Sequence, residues 1–396
     1  GAERGYLPVV VELLRRIDDR LRWLAAWTIH NANHLRESRD GLKVGGHQAS
    51  CASMTTLMTA LYFAALRPQD RVALKPHASP VFHAIQHLYG RQTINQLQRF
   101  RSLGGAQSYP SRTKDIDDVD FSTGSVGLGV AMTAFASLTQ DYLAARGAVK
   151  PDAMGRMISL LGDAELDEGN IYEALIEACK HDVRNTWWIV DYNRQSLDAT
   201  TSDRMFTRYG EIFEAAGWTV VTLKWSKRQR EAFARPGGAA LQAWIENAPN
   251  DLYSALTYQG GGAWRERLPA DLAGDEAALK LIAAYPDEEL ALVMTELGGH
   301  CLETILEAFE TAARDDAPRF IIAYTVKGWR LPFAGHKDNH SGLMTPTQIA
   351  EVRSRLGVVE GEEWDMLSGL ADNELKAVRR LVETAPFAAR KDGRRH

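Results

Sequence analysis

Apolar residues recur along this chain with two different periods, and the switching between them sets the expected architecture. Over residues 11–36, Leu13, Leu14, Ile17, Leu21, Leu24 and Ile29 fall at helical spacing with charges between them, which predicts an amphipathic packing helix. Gly45-Gly46-His47 precedes a second, more uniformly apolar helix from Ser50 to Leu66. Arg71 to Leu74 reads as a short strand running into Pro76-His77, so His47 and His77 both stand at element ends. Residues 101–123 are rich in Gly, Ser, Pro and Asp and read as a long loop before the turn Gly124-Ser125-Val126-Gly127-Leu128-Gly129 and a further helix.

The stretch 156–198 is the most informative. Met157 to Leu161 is a continuous apolar run of buried-strand type, Gly162-Asp163 is a turn, and residues 169–180 carry Ile171, Ala174, Leu175 and Ala178 on one helical face. Trp187 to Val190 is the next strand. A strand, helix and strand of this length form a βαβ unit whose strands run parallel and end on the same sheet edge, so Asp163 and Asn193 emerge together. Further strands are expected at 218–224 and 319–326, and helices near 299–314 and 346–356. Residues 226–290 have weak periodicity with several Gly and Pro and read as irregular helices and loops. The pattern gives an α/β fold, a doubly wound and mainly parallel sheet flanked by helices, with the large domain at 1–356 and a C-terminal helical tail or linker at 357–396.

Composition narrows the function classes. With 396 residues, 45% of them hydrophobic, the chain can bury a sizeable core. A net charge of −5, with lysines and arginines spread along the chain, provides no basic stripe for nucleic acid. No apolar stretch reaches the roughly 18 residues of a membrane span, and no signal-peptide pattern is present, so a cytoplasmic protein is expected. Cys51, Cys179 and Cys301 are too far apart for a zinc site or a disulfide framework and are expected to be reduced and buried.

Beyond the carboxyl ends of parallel strands, backbone N–H groups and helix N-termini favour anions, and a diphosphate fits there. A diphosphate carried with Mg²⁺ needs hard oxygen ligands in octahedral geometry. Asp163 and the Asn193 side-chain oxygen are suitable donors, the turn after Asn193 can add the Gln195 carbonyl, and Gly162 permits a close backbone approach. Gly-Asp after a strand is common by itself, and Asp163 alone would serve equally as a helix N-terminal residue. Gly124, Gly127 and Gly129 lack the order and the preceding strand of a dinucleotide fingerprint, which excludes a Rossmann dehydrogenase. His336 and His340 stand four apart, but the intervening Gly, Asp and Asn point to a loop, not to a helical metal pair.

The segment Gly162-Asp163-Ala164-Glu165-Leu166-Asp167-Glu168 through Asn193-Arg194-Gln195-Ser196-Leu197-Asp198 resembles the thiamine diphosphate (ThDP) motif of the transketolase superfamily. The resemblance is nearest to the homodimeric bacterial type of pyruvate dehydrogenase E1 component and runs collinearly through most of the chain. It includes Gly45 to Ser50, Pro76 to Pro80, Ser108-Tyr109-Pro110, Ser125 to Gly129, Gly210 to Trp218, Leu297 to His300 and Thr325 to Gly328. Lys75-Pro76 departs from the residues usual before the second histidine block.

The resemblance implies ThDP and Mg²⁺ as cofactors. Asp163, Asn193 and the Gln195 carbonyl would hold the metal. His47, His77, Tyr109, Gly127, Gly162, Ala164, Glu165 and Lys327 would line the cofactor, and His47, His77 and the loop residue His340 would act on substrate. The family's activating glutamate lies on a pyrimidine-binding domain that the resemblance does not reach. The expectation is therefore a split enzyme, an α subunit working with a partner subunit in an α₂β₂ hetero-oligomer. Its substrate would be a small 2-oxo acid, decarboxylated with transfer of the two-carbon unit. Ketose substrates in transketolase-type transfer, acyloin-forming carboligation, and a non-catalytic scaffold are the competing readings.

Overall fold

The apolar runs build a five-stranded parallel sheet in a computed structural model that describes residues 8–38, 40–196, 199–200 and 205–390. Its strands are β1 (Arg71–Ala73), β2 (Met157–Gly162), β3 (Thr186–Tyr192), β4 (Thr219–Leu223) and β5 (Arg319–Tyr324), in the order β1-β2-β3-β5-β4. Every position of β2, β3 and β5 is buried, as expected where helices cover both faces of a parallel sheet. Leu197 and Asp198, at the end of the ThDP-like motif, lie outside the described residues.

The pleat sends alternate side chains of one strand into two separate cores. Trp187 and Ile189 of β3 enter the first, where they meet α1 (Pro8–His30), α2 (Gln48–Ala60) and α3 (Ser79–Leu88). Trp188 and Val190 enter the second, packed by α4 (Leu128–Ala145), α5 (Gly169–Lys180) and α6 (Met205–Ala215). Helix α7 (Leu302–Ala312) returns to the first core. Helix α8 (Pro346–Arg355) closes a smaller cluster with Trp23, Leu331 and Met344. Helix α9 (Asp372–Thr384) inserts Val378 and Val382 into the first core against α1. No helix among the described residues is long and apolar enough to cross a membrane.

Three elements differ from the sequence reading. The weakly periodic region contains regular helices at 227–233, 238–247, 250–259, 261–271, 276–283 and 287–295. Each is short and buries only a few side chains, such as Trp264 with Leu268 or Leu290 with Val293, too few to generate a visible period. Residues 79–88, not assigned by the pattern, are helical with Pro80 in the first turn, where a missing N–H costs nothing. Cys51 and Cys301 are buried, but Cys179 is exposed. It follows Ala178 by one position on α5 and so points about 100° away from the buried face.

Trp188 couples the sheet to two helices and to Trp218 before β4, and tests this packing. Its indole N–H donates to Thr133 Oγ1 at 3.0 Å, and its ring centroid lies 4.3 Å from Trp218 and 5.7 Å from Phe213. Trp188→Ala is expected to lower unfolding free energy by about 3–5 kcal/mol, measured by guanidinium denaturation. A loss under about 1 kcal/mol would contradict the packing described.

Candidate cofactor site

The carboxyl ends of β1, β2, β3 and β5 converge on one buried carboxylate. Asp191, in β3, is fully enclosed. Its Oδ2 accepts from Lys75 Nζ at 2.6 Å, Ser53 Oγ at 2.6 Å and Asn193 Nδ2 at 3.3 Å, and its Oδ1 accepts from Thr325 Oγ1. Burial pushes the Asp191 carboxyl up, but the Lys75 ammonium and the hydroxyl donors outweigh it and hold the group below the usual carboxylate range. Burial likewise disfavours charge on Lys75, yet Asp191 wins and raises the lysine above its ordinary value. Lys75 follows β1 while Asp191 belongs to β3, so the lysine must cross the end of β2 to reach its partner. It crosses at Gly162: a side chain there would begin 3.3 Å from Lys75 Cε.

Immediately after Gly162, Asp163 is buried beside this pair. Burial first, then the Asp191 charge, pushes its carboxyl up to about 7. Arg194, at φ 63°, turns the backbone so that its N–H donates to Asp163 Oδ2 at 2.7 Å, while Ala164 N–H donates to Oδ1 at 3.0 Å. Asn193 Oδ1 accepts from Gln195 N–H at 3.0 Å. The β2 and β3 ends thus bring Asp163, Asn193 and Gln195 together, as the βαβ reading expects. Gln195 Oε1 is buried without a partner, the kind of orphaned oxygen that a cation or water satisfies. A carboxyl whose ionisation its surroundings oppose, an amide oxygen and a nearby turn make a hard-oxygen set that fits Mg²⁺.

The Lys75 charge that acts on Asp163 also acts on an imidazole cluster. His47, which precedes α2, His77, in a turn before α3, and His340 have ring centroids 4.0, 4.8 and 5.4 Å apart. His47 Nδ1 is 2.9 Å from the His340 carbonyl, and Lys327 Nζ is 3.2 Å from His340 Nδ1. Burial and then neighbouring His47 and Lys75 push His77 down to about 2, and burial, with Arg101, Lys327 and Lys75, lowers His47. Both rings are therefore neutral at pH 7. His340 lies in a turn, consistent with the loop expected there, while His336 packs edge-on against Tyr258 at 4.5 Å.

The other anticipated residues take different places. Glu165 spends its carboxylate on the N–H groups of Gly162 and Gly127, each at 3.2 Å, and so braces the two glycine turns. Gly127 has φ 74°, and a Cβ there would sit 2.3 Å from Asn170 Oδ1, so only glycine fits. Tyr109 is half exposed at the rim of an open cavity of about 1210 Å³, which Arg36, Lys43, Arg99 and Arg101 also line.

Sequence reading missed Lys75, Asp191 and Arg101. The signal for the first two was present: an aspartate inside the apolar run Trp187–Tyr192, and a lysine after β1, each unaffordable in a core without the other. Arg101 adopts φ 61° and places its guanidinium against Gly45, which no periodicity announces.

The neutral histidines give a direct test. His77 has a folded pKa near 2 against about 6.5 when unfolded, so the unfolded state binds the extra proton below pH 6.5. Stability attributable to His77 is therefore full above pH 6.5 and falls as pH drops below it. Imidazole ¹⁵N NMR is expected to show His77 still neutral at pH 5; a midpoint near 6.5 would contradict the buried cluster.

The family model for the transketolase thiamine diphosphate binding domain matches residues 44–242. The pyruvate dehydrogenase E1 component of Escherichia coli K12 is 30% identical over 372 residues, covering 90% of this chain and 41% of that protein. The Corynebacterium glutamicum E1 component is 27% identical over 345 residues, covering 83% and 36%. The chain thus spans about two-fifths of the length of these relatives. In fold it is similar to transketolases from Leishmania mexicana (TM-score 0.64, 17% identity, 95% of this chain and 45% of that one) and Campylobacter jejuni (0.62, 19%, 95% and 46%). The matched region contains both the strand-end oxygens and the first two histidines, and the chain belongs to the transketolase thiamine diphosphate binding domain family.

Proposed function

We propose that this chain is the diphosphate-binding α subunit of a split, cytoplasmic ThDP enzyme that decarboxylates a 2-oxo acid and transfers the two-carbon unit. The observation that carries this reading is that one lysine, Lys75, acts both on Asp163, held by the turn that follows Asn193, and on the neutral imidazoles His47 and His77, which Lys327 also faces. ThDP, when bound, supplies the carbanion stabilisation that such a reaction needs. Asp163 and Asn193 would hold Mg²⁺ against the diphosphate, joined by the Gln195 carbonyl. His47 and His77, held neutral, can each donate from one ring nitrogen and accept at the other at pH 7. The surrounding cations favour a substrate bearing a carboxylate. Lys327 positions His340 at the same cluster.

The surface of α4 supports a partner subunit. Leu128, Met132, Phe135, Tyr142 and Leu143 are all exposed on this one helix, and their spacing makes an apolar stripe. A stripe of this kind marks an interaction face. In the proposed α₂β₂ assembly it receives the subunit that carries the pyrimidine-binding domain and its activating glutamate. Residues 1–356 would form the cofactor domain and 357–396 its helical tail. One observation favours transketolase-type transfer or acyloin-forming carboligation instead: the basic rim of Arg36, Lys43, Arg99 and Arg101 beside Tyr109 suits a phosphorylated ketose.

In calorimetric titration, ThDP is expected to bind only with Mg²⁺, and Asp163→Ala should weaken binding by more than about tenfold. Equal affinity without metal, or in the variant, would overturn the site assignment. With the partner subunit present, CO₂ release from pyruvate is expected; turnover by the chain alone, or a strict need for a ketose donor, would contradict the proposal. Phe135→Asp should abolish co-purification with the partner while leaving the thermal midpoint of the isolated chain within about 2 °C, because the ring is exposed.

A further inference from the structure

A second cluster of ligating groups lies away from the strand ends. His83, on α3, meets Asp115 and Asp117 of the long loop before α4, and their ligand atoms all lie within 4.8 Å of one another. The His83 ring and the Asp117 side chain are completely enclosed, and Asp115 is buried. His83 Nε2–H donates to the Gln107 carbonyl at 2.7 Å, which fixes the tautomer and turns Nδ1 onto Asp117 Oδ2. A backbone carbonyl holding the far ring nitrogen is the usual orienting contact of a metal-ligating histidine. Asp117 Oδ1 is buried with no hydrogen-bond partner. Asp115 accepts N–H bonds from Gln107 at 2.9 Å and Ser111 at 2.7 Å, one to each oxygen, which orients the carboxylate and leaves each oxygen a lone pair.

The charge count decides what fits between these groups. Asp117 and Asp115 are the charges that act most strongly on His83, and no lysine or arginine is among the leading influences on His83 or Asp115. A proton on His83 leaves two buried carboxylates against one positive charge, with Asp117 Oδ1 still unsatisfied. A divalent cation on neutral imidazole makes the cluster electroneutral and satisfies that oxygen. We propose that His83, Asp115 and Asp117 form a structural site for a divalent transition ion of the zinc type, with Nδ1 and carboxylate oxygens as ligands. One nitrogen with oxygens suits such an ion better than Ca²⁺ or Mg²⁺, which take oxygen sets. The site pins the loop that carries Tyr109 onto the helix that follows His77. The imidazole trio His47, His77 and His340 is the poorer cation site, because Lys75, Lys327 and Arg101 surround it.

The test uses the full chain, stripped with chelator, saturated with Mg²⁺ and ThDP, equilibrated with Zn²⁺ and desalted. One zinc per chain is expected, and its X-ray absorption should show one imidazole and oxygen neighbours at about 2.0–2.2 Å. Asp117→Asn should reduce retained zinc at least tenfold, whereas His340→Ala should leave it unchanged, and zinc should raise the melting temperature of the stripped chain. No retained zinc, a spectrum of several imidazoles, or retention by Asp117→Asn with loss in His340→Ala would overturn the proposal and leave a His83–Asp117 ion pair only. Should Asp117→Asn fail to fold, the absorption spectrum of the unmodified chain decides between the two clusters.

Discussion

Asp191 carries a full negative charge out of reach of water, and its neutralisation dictates where several parts of the chain must meet. Lys75 has to arrive from the end of β1, Ser53 from the middle of α2 and Thr325 from the end of β5, each within hydrogen-bonding distance of one carboxylate. An isolated buried charge is costly enough that losing any one of these contacts while the charge remains weakens the fold. The same requirement explains Gly162, since the lysine passes over β2 where a larger residue would crowd it. Lys75, immediately before the second histidine block, is thus one half of a charge pair that frames the site.

The pair then sets the electrostatics of its neighbours. Asp163 lies close enough to Asp191 for repulsion to add to burial, so its carboxyl is raised and a nearby cation would favour its charged form. On the other side, Lys75 adds to burial in keeping His77 and His47 uncharged. One ion pair therefore leaves a cation-seeking group on one flank and neutral imidazoles in a positive field on the other. That division, a cation-seeking side and an anion-receiving side, is what the proposed function asks of the two flanks.

Much of this was legible in the chain. The βαβ unit and the joint emergence of Asp163 and Asn193 followed from period and length, because buried parallel strands read as continuous apolar runs and parallel connection puts their ends on one edge. The approach of His47, His77 and His340 came from resemblance alone: nothing in spacing joins residues so far apart. What stayed hidden was long-range pairing. Asp191 inside an apolar strand announces a buried charge but not its partner until Lys75 is placed across β2, and Asp117 is one of several acids in a polar loop until His83 is seen beside it. The short helices between residues 227 and 295 escaped because each buries too few residues to show a period.

The most direct test of the framing role of Asp191 is a double-mutant cycle in chemical denaturation with Lys75→Met, Asp191→Leu and the pair combined. Each single change leaves a buried charge or removes its compensation and is expected to lower stability by about 3–5 kcal/mol, whereas the double change should recover most of that loss. Single losses below about 1 kcal/mol, or a double loss equal to the sum of the singles, would show that the two residues do not form the pair on which the site is built.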